Sequence, residues 1–425
     1  MQPDVTAAYS LLSAQAVRER AHRMLALGLA GQLPHFRVDL ERLDPTIDLV
    51  LETTRKAYPS LDVPFHSRWR HFVVDGTDRW AVIEAAANWR DPAARARAAF
   101  DLAVVSVLLD AGAGSMWRYT DPVTGRSIGR SEGLALASFD MFASGAFSSV
   151  LGDPLRADAD ALAWLSEKDL VRAFQVTDDN PLPNLSGRAS LLRRLGELVA
   201  SKPDVFGRND TTRPGGLFDH LAAAVTGETI PAPTILAELL RHFGPIWPSR
   251  LKLAGVPLGD CWHHPALDTA DATSTLVPLH KLSQWLAYSL IEPLQTADIT
   301  VTDVDGLTGL AEYRNGGLFI DMEVLAFRDT SASAREYEVA SPLVVEWRAL
   351  TVALLDRVAE GMRRRLAMDA QSLPLAKVLQ GGTWTAGRAI ARRLRPDGSP
   401  PDGSPVRVGS PLDGSPTAGS PQAGC

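Results

Sequence analysis

DPAARARAAFDLAVVSVLLDA, residues 91–111, opens on Asp-Pro and runs into a stretch, Phe100–Leu109, that is apolar nearly all round. Asp is a good helix N-cap and Pro fits the first turn, where its missing N–H is not needed. A helix without a polar face belongs deep in a core. A chain built around such a helix is a helical one, and the neighbouring segments agree. Ala7–Gly31 carries apolar residues at helical spacing in an Ala-, Leu- and Arg-rich background. Asp44-Pro45 repeats the Asp-Pro start. Further helices are expected near Leu134–Phe147, Ala159–Phe174, Ser186–Ser201, Gly216–Thr226, Pro233–Phe243, Thr275–Pro293 and Ser341–Leu366.

Strand signals are few. Arg70–Val74 is short, Asp298–Val304 alternates and is β-branched before Gly306, and Leu318–Phe327 reads as strand or helix. No βαβ rhythm and no solenoid repeat appear, which argues against a doubly wound sheet. The expected fold class is mainly α with a few short strands.

The chain has 425 residues, 43 Lys and Arg against 50 Asp and Glu, 45% apolar and 22% charged residues. That is ordinary for a globular protein. A formal charge of -7 lowers the expectation of a nucleic-acid partner, which normally meets a basic face. Two cysteines, Cys261 and Cys425, exclude a disulfide framework. The N-terminal stretch has no signal-peptide pattern, and the apolar runs fall short of the ~20 residues of a membrane span. No membrane partner and a cytoplasmic location follow as expectations. Gly-Ser-Pro recurs five times from Gly398, so residues 395–425 read as a disordered tail with little to bury. Residues 1–394 read as one helical domain, of one lobe or two, with no legible boundary. The oligomeric state is not legible either.

Three segments concentrate chemistry. In MWRYTDPVTGRSIGRSEG (116–133), Trp117 and Tyr119 are candidates for an aromatic pocket wall, Ser131 for a helix N-cap, and Arg130 with Glu132 for the mouth of that helix, where an anion can sit. In LHKLSQWLAYSLIEPL (279–294), Lys281 and Gln284 lie three apart and can share a helix face. DVDGLTGLAEYRNGGLF (303–319) is the densest, with Asp305, Glu312, Tyr313 and Arg314 among glycines that allow positive φ and close backbone approach; Asp321 follows. Its start loosely imitates a phosphoribosyl-binding loop, except that Val304 separates Asp303 from Asp305. Each segment also has an ordinary reading as capped helix, core or turn. Cys261-Trp262-His263-His264 invites a metal, but adjacent residues do not easily ligate one ion and no zinc spacing accompanies them. No metal and no cofactor are expected. Rossmann, P-loop and hydrolase-elbow motifs are missing.

RSEGLALASFDMF (130–142), PLHKLSQWLAYSLIEPL (278–294), DGLTGLAEYRNGGLFID (305–321) and GGTWTAGRAIARRLRP (381–396) resemble the fourth protein of the URC uracil-catabolism pathway, a family of fungi and bacteria, over residues 10–396. A more distant similarity is to the queuosine-5′-phosphate salvage hydrolases. Lys281 and Gln284 fit their lysine-bearing helix, and Leu307–Arg314 fits their Leu-Thr-x-Phe-Ala-Asp-Tyr-Arg stretch, with Glu312 in place of Asp. Ser289 stands where those enzymes have an acid. The resemblance implies a helical DNA-glycosylase-like architecture and cleavage of an N-glycosidic bond. The expected substrate is N-ribosylurea or its 5′-phosphate, giving urea and ribose or its phosphate.

On that reading Glu312 is the catalytic carboxylate, because breaking a ribosyl C–N bond develops oxocarbenium charge. Asp321 or Asp305 is its partner for water or ribose. Glu132 and Tyr313 are candidate proton donors, and Arg314, Lys281 and Arg130 are candidates for a phosphate. Trp117 and Tyr119 would bound the leaving group. The alternatives are a uracil phosphoribosyltransferase-type enzyme, which would need Mg²⁺, and a non-catalytic scaffold of the pathway.

Overall fold

The computed structural model describes residues 3–395, apart from 111, 115, 209–210, 248–250 and 336. Only Arg395 of the expected disordered tail lies among the described residues. The helices in chain order are α1 (Pro3–Ser10), α2 (Ala14–Leu29), α3 (Leu43–Ala57), α4 (Arg79–Ala87), α5 (Pro92–Leu108), α6 (Arg130–Ala143), α7 (Ala159–Trp164), α8 (Glu167–Ala173), α9 (Leu185–Ser201), α10 (Pro203–Phe206), α11 (Gly216–Ala223), α12 (Ala232–Phe243), α13 (Lys281–Gln295), α14 (Tyr313–Asp321), α15 (Pro342–Leu366), α16 (Leu375–Val378) and α17 (Trp384–Leu394). The fold is mainly α. The strands are two or three residues long and pair two by two, with Thr229–Pro231 and Thr300–Thr302 parallel and the others antiparallel. No helix among the described residues is long and apolar enough to cross a membrane.

Helix α5 has Asp91 as N-cap, its side chain accepting from the Ala93 amide, and Pro92 in the first turn. It is buried from Ala96 to Leu108. Its three polar residues survive there because each is satisfied, Arg97 by donating to Asp219 at 2.7 and 2.8 Å. Asp101 accepts from Arg213, the Ala157 amide and the Gly215 amide, and Ser106 accepts from Arg68 Nε at 2.7 Å. Helix α13 lies on α5 and α12, while the longest helix, α15, packs on α2, α3 and α14. Helix α14 in turn packs on α17. Gly387 of α17 lies against the Arg314 carbonyl at the start of α14, and the charge of Lys281 at the start of α13 reaches Glu312 and, past the end of α5, Asp110.

Local expectations and structure part at identifiable points. Ala7–Gly31 is two helices, because the Ser13 side chain accepts from Ala16 N and starts α2 afresh. Asp39 caps a 3₁₀ turn that enters α3, which leaves Asp44 within the first turn of α3 instead of capping it. Arg70–Val74 is mostly a 3₁₀ turn, Arg68–Phe72. Thr275–Pro293 begins as the strand Leu276–Pro278 before α13 starts. Leu318–Phe327 is both things in turn: α14 to Asp321, then the strand Leu325–Phe327.

Candidate functional site

Helix α13 begins at Lys281 because Asp260 accepts the Lys281 amide at 2.9 Å. Asp260 is itself held by both Nη atoms of Arg348 at 2.8 Å and by the Trp262 indole at 2.7 Å. Burial pushes its carboxyl up, but Arg348 and these donors overrule it and hold it at about 2. Helix α14 begins at Glu312, whose carboxylate accepts the Asn315 amide at 2.9 Å and the Arg314 amide at 3.3 Å. Glutamate is an unusual N-cap, and each of its oxygens keeps a lone pair free beyond the cap.

The charge of Lys281 at the start of α13 reaches Glu312 at the start of α14 without an ion pair between them among the described residues. Burial raises the Glu312 carboxyl, and the Lys281 charge with the two cap amides opposes that. The Lys281 ammonium has no hydrogen bond or ion pair among the described residues. Its charge also reaches Asp110 and His66. Asp110 follows α5 and accepts from Arg68 Nη1 at 2.9 Å and from the Ser131 hydroxyl at 2.5 Å. Burial pushes Asp110 up, but Arg68 and Lys281 prevail and hold it below the usual range. Ser131 is therefore not the cap of α6. Gly129 holds that position without a side-chain bond, and the Ser131 hydroxyl serves Asp110.

The other wall was not legible as a motif. His66 and His71 flank the Trp285 ring, with centroids at 4.5 and 5.7 Å. Burial lowers His66 to about 3 and, with the Arg68 charge, His71 to about 4. Both imidazoles are neutral at neutral pH. Gln380 donates to the Tyr58 hydroxyl, so its carbonyl accepts from His66 Nδ1 at 2.9 Å; His66 Nε2 is then an acceptor. His71 Nδ1 faces the Arg68 donor at 3.4 Å, which leaves its Nε2 as a donor. The Trp285 indole N–H and the Asn315 side-chain oxygen are buried without a partner. Buried polar atoms are normally paired, so an unpaired one is a place where a polar ligand group fits.

A third group is cationic. Arg314, 5% exposed, lies with its guanidinium 5.4 Å from the centroid of the half-buried Tyr313 ring. Arg388 on α17 sits 4.6 Å over the Trp384 ring and donates to Glu132 at 3.0 Å. Arg130 is the exposed first residue of α6, at φ +59°. Glu132 accepts the Arg388 bond and so ties α17 to the first turn of α6.

Several expected site residues lie elsewhere. Trp117 is fully buried, donating to the Phe174 carbonyl at 2.9 Å. Tyr119 donates to Asp140 at 2.6 Å and lines a different cavity of about 570 Å³ with Trp164 and Arg172. Neither bounds the Glu312 cluster: their aromatic spacing reflects packing. Asp321, at the end of α14, takes Arg395 bidentately at 2.9 and 2.6 Å. Asp305 takes Arg363 at 2.5 Å and the Leu375 amide at 2.7 Å. Both carboxylates fasten elements together. Arg18 donates to the carbonyls of Asp305, Gly306 and Leu307, so the segment that imitates a phosphoribosyl loop is clamped. Gln284 is buried and spends its amide on Thr308, fixing the approach to Glu312. Gly306, Gly309 and Gly316 are not at positive φ. They serve close approach, as at Gly309, where a Cβ would meet Leu355 at 2.6 Å.

For metals, His220, Glu238 and His242 have ligand atoms within 4.8 Å of one another. Glu238 Oε2 already holds both imidazoles, at 2.8 and 3.0 Å, and Arg241 takes its other oxygen. Cys261 is buried with its thiol pushed far up, and His263 turns to Thr275.

Fold and site together define a class: a helical protein whose helix starts converge on a half-buried cluster of mixed charge. Comparison with known proteins names it. The chain belongs to the family described as "Protein of unknown function (DUF1688)", which it matches over residues 10–413, and thus beyond Pro396 into the Gly-Ser-Pro tail. It is 39% identical over 404 residues to "Protein urg3" of Schizosaccharomyces pombe, covering 92% of this chain and 96% of that protein. It is 35% identical over 403 residues to "Uracil catabolism protein 4" of Lachancea kluyveri, covering 86% and 90%. Membership of the URC uracil-catabolism family, of the fourth-protein type, is therefore shown.

Proposed function

We propose that this protein acts in uracil catabolism, as the name of its Lachancea relative says of that protein, by hydrolysing the N-glycosidic bond of ring-opened N-ribosylurea or its 5′-phosphate. The observation that carries this reading is the desolvated Glu312 carboxylate at the start of α14, held by two backbone amides and within reach of the Lys281 charge. A carboxylate raised by burial is a better base than one held low, so Glu312 serves better than Asp110.

In the proposed step the bond between the anomeric carbon and the urea nitrogen breaks, and its electron pair leaves with nitrogen. Glu312 stabilises the cationic sugar and takes a proton from the water whose oxygen joins that carbon. The departing nitrogen takes a proton from the Tyr313 hydroxyl, which is reset by solvent. Urea presents a carbonyl and two amino groups. The Trp285 N–H and His71 Nε2 offer donors to the first, and His66 Nε2 and the Asn315 oxygen offer acceptors to the second. The Lys281 charge opposes the burial that raises the Glu312 carboxyl. The mainly helical frame fits the glycosylase-like architecture that the resemblance implies.

The test is incubation of the pure protein with N-ribosylurea and with its 5′-phosphate, measuring urea with and without EDTA. Urea released at one rate in both arms supports the reading. No urea from either compound refutes it.

A further inference from the structure

Arg314 poses an electrostatic problem. The residue is 5% exposed, and among the described residues its guanidinium has no hydrogen bond and no ion pair, only the Tyr313 ring, while its nitrogens keep some contact with solvent. A guanidinium so largely withdrawn from water gains from an anionic acceptor, and proteins normally supply one. Glu312 is close enough for its charge to be felt, but its oxygens are turned to the α14 amides. The surroundings add positive charge instead: Arg130 and Arg388 both lower Arg314.

Their placement is built into the backbone. A Cβ on Gly387 would lie 2.7 Å from the Arg314 carbonyl oxygen, so glycine there lets α17 close onto the start of α14. That closure puts Arg388, the next residue, beside Arg314. Arg388 gives one Nη to Glu132 and stacks on Trp384, which fixes its fork with donors to spare. Glu132 is two residues from Arg130, so the same ion pair ties α17 to the start of α6. Arg130 sits there at φ +59°, a conformation unfavourable for a side chain of its size. The α6 N-terminus behind it has no side-chain cap. Three planar forks and a helix start of free amides suit a doubly charged anion with several oxygens.

We propose that the substrate carries a phosphomonoester, held by Arg130, Arg314 and Arg388 at the start of α6, so that the phosphorylated ribosyl compound and not the free one is the substrate. This rests on the glycosidase reading for the rest of the molecule but not for the anion site. Calorimetric binding of ribose 5-phosphate and of ribose to the full chain separates the two. Ribose 5-phosphate should bind at least tenfold more tightly than ribose, and Arg314→Gln should remove most of that difference. Arg130→Gly removes a guanidinium where glycine suits the backbone. It should keep the melting temperature while weakening ribose 5-phosphate several-fold. Equal binding of the two sugars overturns the proposal, as does wild-type binding by both folded variants. Phosphate-dependent binding without urea release from ribosylurea 5′-phosphate would sustain the anion site while refuting the glycosidase. Urea release as fast from free ribosylurea as from the phosphate would do the reverse.

Discussion

Gly316→Ala tests how Glu312 is held in place. Gly316 lies inside α14, and its amide donates to the Glu312 carbonyl at 3.0 Å. An added Cβ would fall 2.4 Å from Cζ2 and 2.5 Å from Cε2 of Trp347, which is 1% exposed. Ordinary contact begins at 3.4 Å. The indole or α14 must therefore recede by about 1 Å in a close-packed interior. Overpacking of this kind costs about 1–3 kcal/mol, and a rigid, enclosed indole belongs at the upper end. Alanine returns about 1 kcal/mol through helix propensity. The balance is about 2 kcal/mol of destabilisation, or about 2–3 °C in melting temperature for a chain of this length. Glu312 should move with α14, and a catalytic group displaced by about 1 Å loses about a hundredfold in rate. The assay is thermal melting followed by urea release at a temperature where the variant is folded. A variant that melts at or above wild type and releases urea at the wild-type rate would refute the packing argument.

The buried histidines predict acid sensitivity. His66 and His71 titrate at about 3 and about 4 in the fold against 6.5 outside it, so the folded state favours their neutral forms. Their contribution is complete above pH 6.5 and is lost as pH falls towards 4, at up to about 1.4 kcal/mol per pH unit for each imidazole. Denaturant melts across that range should steepen accordingly, and His71→Gln should flatten the slope; an unchanged slope contradicts the burial argument. Arg68→Met should cost about 3–5 kcal/mol, because it leaves Asp110 buried beside Ser131 without its cation. Chemical denaturation checks this, and a loss below about 1 kcal/mol would mean that Asp110 finds another partner.

The sequence carried the frame further than the site. Asp91 and Pro92 start α5 as read, because capping is a local interaction between neighbours. Ser13 and Ser131 show the limit: each is a serine at a helix start, yet only Ser13 caps, since Asp110 and Arg68 claim the hydroxyl of Ser131. The glycines of 306–316 were legible as close-approach positions. Their partners Leu355 and Trp347 are set by tertiary packing, which no spacing reveals.

Lys281, Glu312 and Arg314 were legible because they sit in dense, familiar segments. His66, Arg68, His71, Asp110, Trp285, Gln380 and Arg388 were not, being drawn from five places along the chain. One signal was present. FHSRWRHF, residues 65–72, packs two histidines, two arginines and three aromatics into eight positions. Trp117 and Tyr119 misled for the converse reason: an aromatic pair beside an arginine reads alike whether it faces a ligand or the core.

The claim on which the rest depends is that Glu312 acts on the sugar carbon. Glu312→Gln keeps an oxygen for the α14 cap and removes the charge, so folding and ligand binding should persist. Urea formation from ribosylurea 5′-phosphate, followed with the enzyme in excess, should fall at least a thousandfold, the order expected when a charge-stabilising group is lost. A folded Glu312→Gln protein that releases urea as fast as wild type would contradict the account.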